Sequence, residues 1–134
     1  MNRLEEYNKG NLFGKENNLE LKEVSKGKIK YTMQLENKHL AVFNLVHGGS
    51  IAGFMDAILS VAAFSAVVDQ YNVATVEFKI NYLRAVKHIQ KLTGKGRVVK
   101  EGSKLLFVEG EILNEENELV ATGSGTIIKI KREN

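Results

Sequence analysis

The residue pattern predicts an α+β fold in which an antiparallel sheet wraps around one long central helix. The segment from about Gly48 to Asp69 is rich in Ala, Leu, Ile and Met and longer than an ordinary strand, so it reads as a helix. From Ile51 to Val68 only Asp56, Ser60 and Ser65 are polar, so this helix is apolar all round and must be enclosed on most sides. Two strand patterns precede it and four follow, joined by short turns, which leaves a sheet to do the enclosing.

Residues 1–18 are polar and rich in Asn and Gly, with one short helix expected around Arg3 to Asn8 and ended by Gly10. They are expected to form a mobile or capping segment. Leu19 to Val24 and Ile29 to Leu35 read as strands joined by a turn at Ser25-Lys26-Gly27. In the second, Ile29, Tyr31, Met33 and Leu35 alternate with Lys28, Lys30, Thr32 and Gln34. After the helix, Val76, Phe78, Ile80 and Tyr82 are expected on one face of a strand, with Thr75, Glu77, Lys79 and Asn81 on the other. Further strands are expected over Ile89 to Lys100, Lys104 to Leu113 and Glu118 to Ile130, with turns at Gly102-Ser103 and Glu115-Glu116-Asn117.

A chain of 134 residues is expected to form a single domain, 1–134. Zero cysteines exclude a disulfide framework and thiolate metal sites, and the N-terminal MNRLEEYNKG lacks the apolar core of a secretory signal, so the cytoplasm is the expected compartment. The formal charge of +3 is spread along the chain. Lys26, Lys28 and Lys30 alternate with a strand's apolar residues as a solvated face does, so no nucleic-acid partner is expected. The long helix is barely able to span a bilayer, and Asp56 would then lie inside it with no second span, so no membrane role is expected.

An ionised side chain in an apolar interior costs several kcal/mol or more unless it is paired, so Asp56 is either satisfied, neutral or used. A carboxylate is a poor general base at its ordinary value of about 3.9, but removal from water shifts such groups toward neutrality, which makes Asp56 a candidate activator of water. Gly48 and Gly49 open the same helix, where backbone N–H groups lack intrahelical partners and can face an anion. Gly49 and Asp56 fall on nearly one face but about 10.5 Å apart along the axis. One helix therefore cannot bring both to one reacting carbonyl. If both take part, the donor comes from a second copy of the chain, in a symmetric dimer with two shared sites, for which open sheet edges offer a means of pairing.

His47 is open to two readings, a base or the residue that holds the turn into the helix, and the second is favoured. His39, His47 and His88 are too widely spaced to suggest a metal site, so none is expected. Ser60 and Ser65 sit in no nucleophile-elbow pattern and read as helix packing residues.

Taken together, His39-x7-His47-Gly48-Gly49-x6-Asp56, the run Thr75-Val76-Glu77-Phe78-Lys79-Ile80-Asn81-Tyr82-Leu83-Arg84 and the closing Leu119-Val120-Ala121 to Gly125-Thr126 resemble the hotdog-fold acyl-CoA thioesterases of the phenylacetate-degradation type. The resemblance covers nearly everything from Leu12 onward. It implies a hotdog fold, homodimers that share two sites and pair into homotetramers, and hydrolysis of an acyl-CoA thioester with no cofactor beyond the coenzyme A of the substrate. By position it implies Asp56 as general base or nucleophile, Gly48 N–H with Gly49 as oxyanion donors from the other subunit, and Thr75 as a hydroxyl that positions the water or the carboxylate. Tyr82 and the turn Lys100-Glu101-Gly102-Ser103-Lys104 correspond to coenzyme A contacts. The chain departs from the family pattern at Ala41, where asparagine is usual, at Asn44, where glycine is usual and whose side chain is the candidate substitute donor, and at Ala85, where proline is common. The alternative reading is a non-catalytic acyl-CoA binding or sensing module; a hydratase is a more distant third.

Overall fold

The computed structural model describes residues 2–133, and in it six antiparallel strands form one sheet around a single long helix. Two short helices, α1 (Arg3–Gly10) and α2 (Leu12–Glu16), are followed by β1 (Leu19–Ser25) and β2 (Lys28–Gln34), the central helix α3 (Gly48–Val67), then β3 (Tyr71–Tyr82), β4 (Lys91–Glu101), β5 (Leu105–Leu113) and β6 (Leu119–Lys131). The sheet order is β1-β2-β4-β5-β6-β3, so β1 and β3 are its two edges. The expected elements are all present. What the pattern missed is α2, the two 3-10 turns at Asn37–His39 and Val42–Asn44, and the length of β3, which begins at Tyr71 before the alternation starts.

Phe54, Met55, Ile58, Leu59 and Ala62 of α3 are completely buried, so the apolar helix is the core of the fold and the sheet supplies its solvent. The sheet comes unusually close. Gly94, Gly96, Gly110, Gly123 and Gly125 project toward the helix, and a Cβ on Gly96 would lie 2.8 Å from the Ile58 side chain and one on Gly123 at 2.8 Å from Met55. Glycine on the inner face of β4, β5 and β6 is thus what lets a curved sheet grip large side chains on the helix.

β3 corrects one expectation. Its register against β6 slips between Thr75 and Glu77, a bulge that leaves Val76 55% exposed while Phe78 and Ile80 pack on the core. Val76 therefore does not share the face of Phe78 and Ile80, and Thr75 turns toward α3 rather than away from it.

Residues 2–17 act as a cap. Arg3 Nε donates to Val68 O at 2.9 Å and Tyr7 stacks 5.3 Å from Phe64, so α1 lies along α3. At its other end Asn17 accepts from His39 Nε2 at 3.0 Å, which ties the cap to the loop before α3.

Candidate active site

Asp56 lies in the middle of α3, and its carboxylate Oδ1 accepts a 2.6 Å hydrogen bond from Thr75 Oγ1. It is half-buried, not enclosed, so the deeply buried acid expected from the apolar run is corrected: Thr75 engages one carboxylate oxygen and part of the residue stays accessible. Partial access is what a group that must meet a substrate needs. Ser60, one turn further on, donates to Asp56 O at 2.8 Å and Ser65 to Ala62 O at 2.7 Å, so both serines satisfy the helix backbone, as expected of packing residues.

The start of the helix shows His47 in the turn-holding role. Its Nδ1 accepts from Gly49 N at 2.7 Å as the N-cap of α3, and its main-chain O accepts from Ser50 N at 3.0 Å. This histidine holds the turn into the helix, and an accepting Nδ1 leaves the ring proton on Nε2. The bond also separates the two glycines. The Gly49 N–H is engaged by the cap, whereas the Gly48 N–H has no acceptor among the described residues and is free for a ligand. Both glycines are exposed.

Tyr82 supports the same corner. Its hydroxyl donates to Gly48 O at 2.8 Å, joining the end of β3 to the start of α3 and orienting the peptide that carries the glycine pair. The remaining coenzyme A candidates lie elsewhere. Lys100 ends β4, while Gly102, Ser103 and Lys104 turn into β5, with Gly102 N donating to Leu105 O at 2.7 Å. Leu105 pairs with Ile128 and Ile128 with Ala74, whereas Tyr82 pairs with Ala121. From Ala74 to Tyr82 the strand runs about 26 Å at roughly 3.3 Å per residue, so Tyr82 and this turn stand at opposite ends of one subunit.

The loop carrying Ala41 and Asn44 is tightly folded. Ala41 N donates to Leu45 O at 2.6 Å, and Phe43 and Asn44 both take left-handed backbone with φ of 58°. For Phe43, 90% exposed, that conformation is strained. Asn44 is exposed and its side chain makes no hydrogen bond among the described residues; it does not join Asp56 within the subunit. His39, which carried no assigned role, anchors this loop. Its buried ring accepts from Glu36 N at 2.9 Å and donates to Asn17, and its main-chain O receives His47 N at 2.8 Å. Burial foremost, then the Lys38 charge, pushes the His39 pKa down against the opposing pull of Glu36, which favours the neutral ring.

Comparison with known proteins bears on the family and the fold. The sequence profile described as "Thioesterase superfamily" matches residues 43–121. A relative from Archaeoglobus fulgidus that bears an esterase name is 29% identical over 111 residues, covering 83% of this chain and 70% of the relative. Among solved structures, the PaaI protein of the E. coli phenylacetic acid degradation operon superposes with a TM-score of 0.89 at 20% identity, over 96% of this chain and 91% of that one. That likeness establishes the hotdog fold. A hypothetical thioesterase protein from Streptococcus pneumoniae, solved with coenzyme A, gives a TM-score of 0.79 at 25% identity over 87% and 88% of the two chains.

Proposed function

The chain belongs to the thioesterase superfamily, and on that footing we propose that it hydrolyses an acyl-CoA thioester to a carboxylic acid and coenzyme A at two sites shared across a homodimer. The observation that carries the reading is the carboxylate of Asp56, oriented by Thr75 on a residue that stays partly accessible, in a chain whose free Gly48 N–H opens the same helix. Spaced about 12 Å apart along α3, the two cannot meet around one carbonyl within a subunit. Two copies pairing antiparallel along β3, the long free edge, would bring the partner subunit's Gly48 toward Asp56. The same pairing would carry the partner subunit's Tyr82 toward the Lys100–Lys104 turn, where cations and backbone donors suit the phosphates of coenzyme A. Further association into homotetramers belongs to the same reading.

In this mechanism Asp56 takes a proton from water while the water oxygen adds to the thioester carbonyl. The developing oxyanion accepts from Gly48 N–H of the partner subunit, with the positive end of the helix behind it. Collapse of the intermediate breaks the carbon–sulfur bond, and the departing thiolate recovers the proton from Asp56. Thr75 fixes the carboxylate's orientation throughout. Direct attack by Asp56 on the carbonyl would pass through a mixed anhydride instead, and single-turnover hydrolysis in oxygen-18 water separates the two by the label left on Asp56.

The test is thiol release from a panel of acyl-CoA esters by the purified protein. Asp56→Asn should abolish release while circular dichroism and the oligomeric state stay as in the parent. One observation favours a binding module as second reading: with Gly49 N–H engaged by His47, Gly48 alone of the glycine pair keeps a free backbone donor for the oxyanion. Thermal stabilisation by acyl-CoA esters without turnover of any of them would select that reading.

A further inference from the structure

The cap formed by α1 and α2 follows one stripe of α3, and that stripe contains the reactive carboxylate. Gly53, Asp56, Ser60 and Phe64 recur at spacings of three and four and so share one side of the helix. Phe13 of α2 lies directly on Gly53, where a Cβ would meet Phe13 Cζ at 2.9 Å. Tyr7 of α1 lies against Phe64, 5.3 Å between ring centroids. Burial raises the Tyr7 pKa first, the Asp56 charge raises it second, and the Ser60 hydroxyl opposes both, which puts the protonated phenol beside these two side chains. One aromatic ring thus stands a turn before Asp56, and another lies one to two turns after it, along Ser60 and Phe64.

Resting on the thioesterase reading, we propose that Phe13 and Tyr7 are the acyl-specificity determinants of this chain, closing the stripe on both sides of Asp56 so that only compact acyl groups fit. The thioester carbonyl has to reach Asp56, and the bulky coenzyme A has to stay outside, so the acyl group extends along the helix. Toward the N-terminus Phe13 roofs the bare backbone of Gly53 with no gap for a methylene chain. Toward the C-terminus Tyr7 and Phe64 fill the stripe. About half of Phe13 is exposed, at 51%, as a wall that faces an entering group must be. The wall is also fixed. Arg3 holds one end to Val68 O and lies 5.8 Å over the Phe64 ring, and Asn17 holds the other through His39.

The experiment is a kcat/KM profile over straight-chain acyl-CoA esters from acetyl to palmitoyl, with benzoyl-CoA as a compact aromatic, for the parent chain and for Phe13→Ala, Phe13→Leu and Tyr7→Leu. A methylene accepted or refused by an apolar pocket changes discrimination by about tenfold or more. The parent should favour short and compact esters, and Phe13→Ala should raise relative kcat/KM for the longer chains by at least about tenfold. Phe13→Leu keeps an apolar contact over Gly53 and serves if the alanine variant does not fold; its shift should be in the same direction and smaller. A parent that prefers long chains, or folded and active variants whose chain-length order is unchanged, overturns the proposal. If the parent hydrolyses nothing, the thioesterase reading fails. The affinity order for the same esters, measured by thermal shift on Asp56→Asn with and without Phe13→Ala, then decides the steric claim on its own.

Discussion

Thr75 reaches Asp56 because of a fault in the sheet. A regular β3 would turn Thr75 to the outer face, opposite Phe78, whereas the slip between Thr75 and Glu77 turns it inward and gives the 2.6 Å bond to the Asp56 carboxylate. Bulges that re-aim one side chain are a recurrent way of building a site on an otherwise regular strand.

Removing the Thr75 hydroxyl should therefore lower turnover without removing the base. A hydrogen bond to a charged group is worth about 1.5–3 kcal/mol, so Thr75→Val should lose roughly 10–100-fold in kcat, and Thr75→Ser should recover most of it. Asp56→Asn should lose about 10²–10⁴-fold or more. Steady-state kinetics on one good ester checks the order; equal activity in Thr75→Val and the parent would remove Thr75 from the mechanism.

The two glycines at the start of α3 should answer differently to alanine. A Cβ at Gly49 would lie 2.8 Å from His47 Nδ1 and displace the cap, costing about 0.5–2 kcal/mol. At Gly48 the nearest atoms, those of Tyr82, lie at an ordinary 3.5 Å. Denaturant unfolding of both variants should show Gly49→Ala as the less stable.

His39 should make the protein acid-sensitive. Its pKa in the folded chain lies below the ordinary 6.5, so as pH falls past that value the unfolded chain takes up the proton first. The stabilisation is complete above 6.5 and is lost as pH drops through the folded-state value, where a proton on Nδ1 would break the bond from Glu36 N. The melting temperature of the parent should fall over this window. His39→Gln should melt lower at pH 8 and lose that part of the slope.

Val76, exposed on the free edge, is the place to test pairing. Val76→Asp should leave the fold of a subunit intact, shift sedimentation toward the monomer and reduce turnover in parallel. A variant that stays dimeric at full activity would argue against pairing along β3.

Much of this was legible in the sequence. The alternation in Ile29, Tyr31 and Met33 and the length of the apolar run Ile51 to Val68 are strong periodic signals, and both elements stand where those signals put them. The bulge was not legible, because Val76 continues the apolar alternation into Phe78 and only pairing with β6 reveals the slip. The inner glycines had a signal that was passed over: Gly94 and Gly96, like Gly123 and Gly125, recur at a spacing of two in line with apolar neighbours. Asp56 and the glycine pair were identifiable, but that His47 engages Gly49 and leaves Gly48 free depends on a side-chain rotamer that no pattern encodes.

The sheet's two margins are unequal. β1, of 7 residues, has a register slip between Leu21 and Glu23 and a Lys22–Glu20 ion pair of 2.9 Å along it, whereas β3 offers an edge 12 residues long whose outer side is unpaired among the described residues. A ribbon with one blunted border and one adhesive border can be matched once, by a copy of itself turned around, and is then exhausted. On the pairing proposed along β3, such a chain would stop at finite assemblies and be protected from polymerising into fibres.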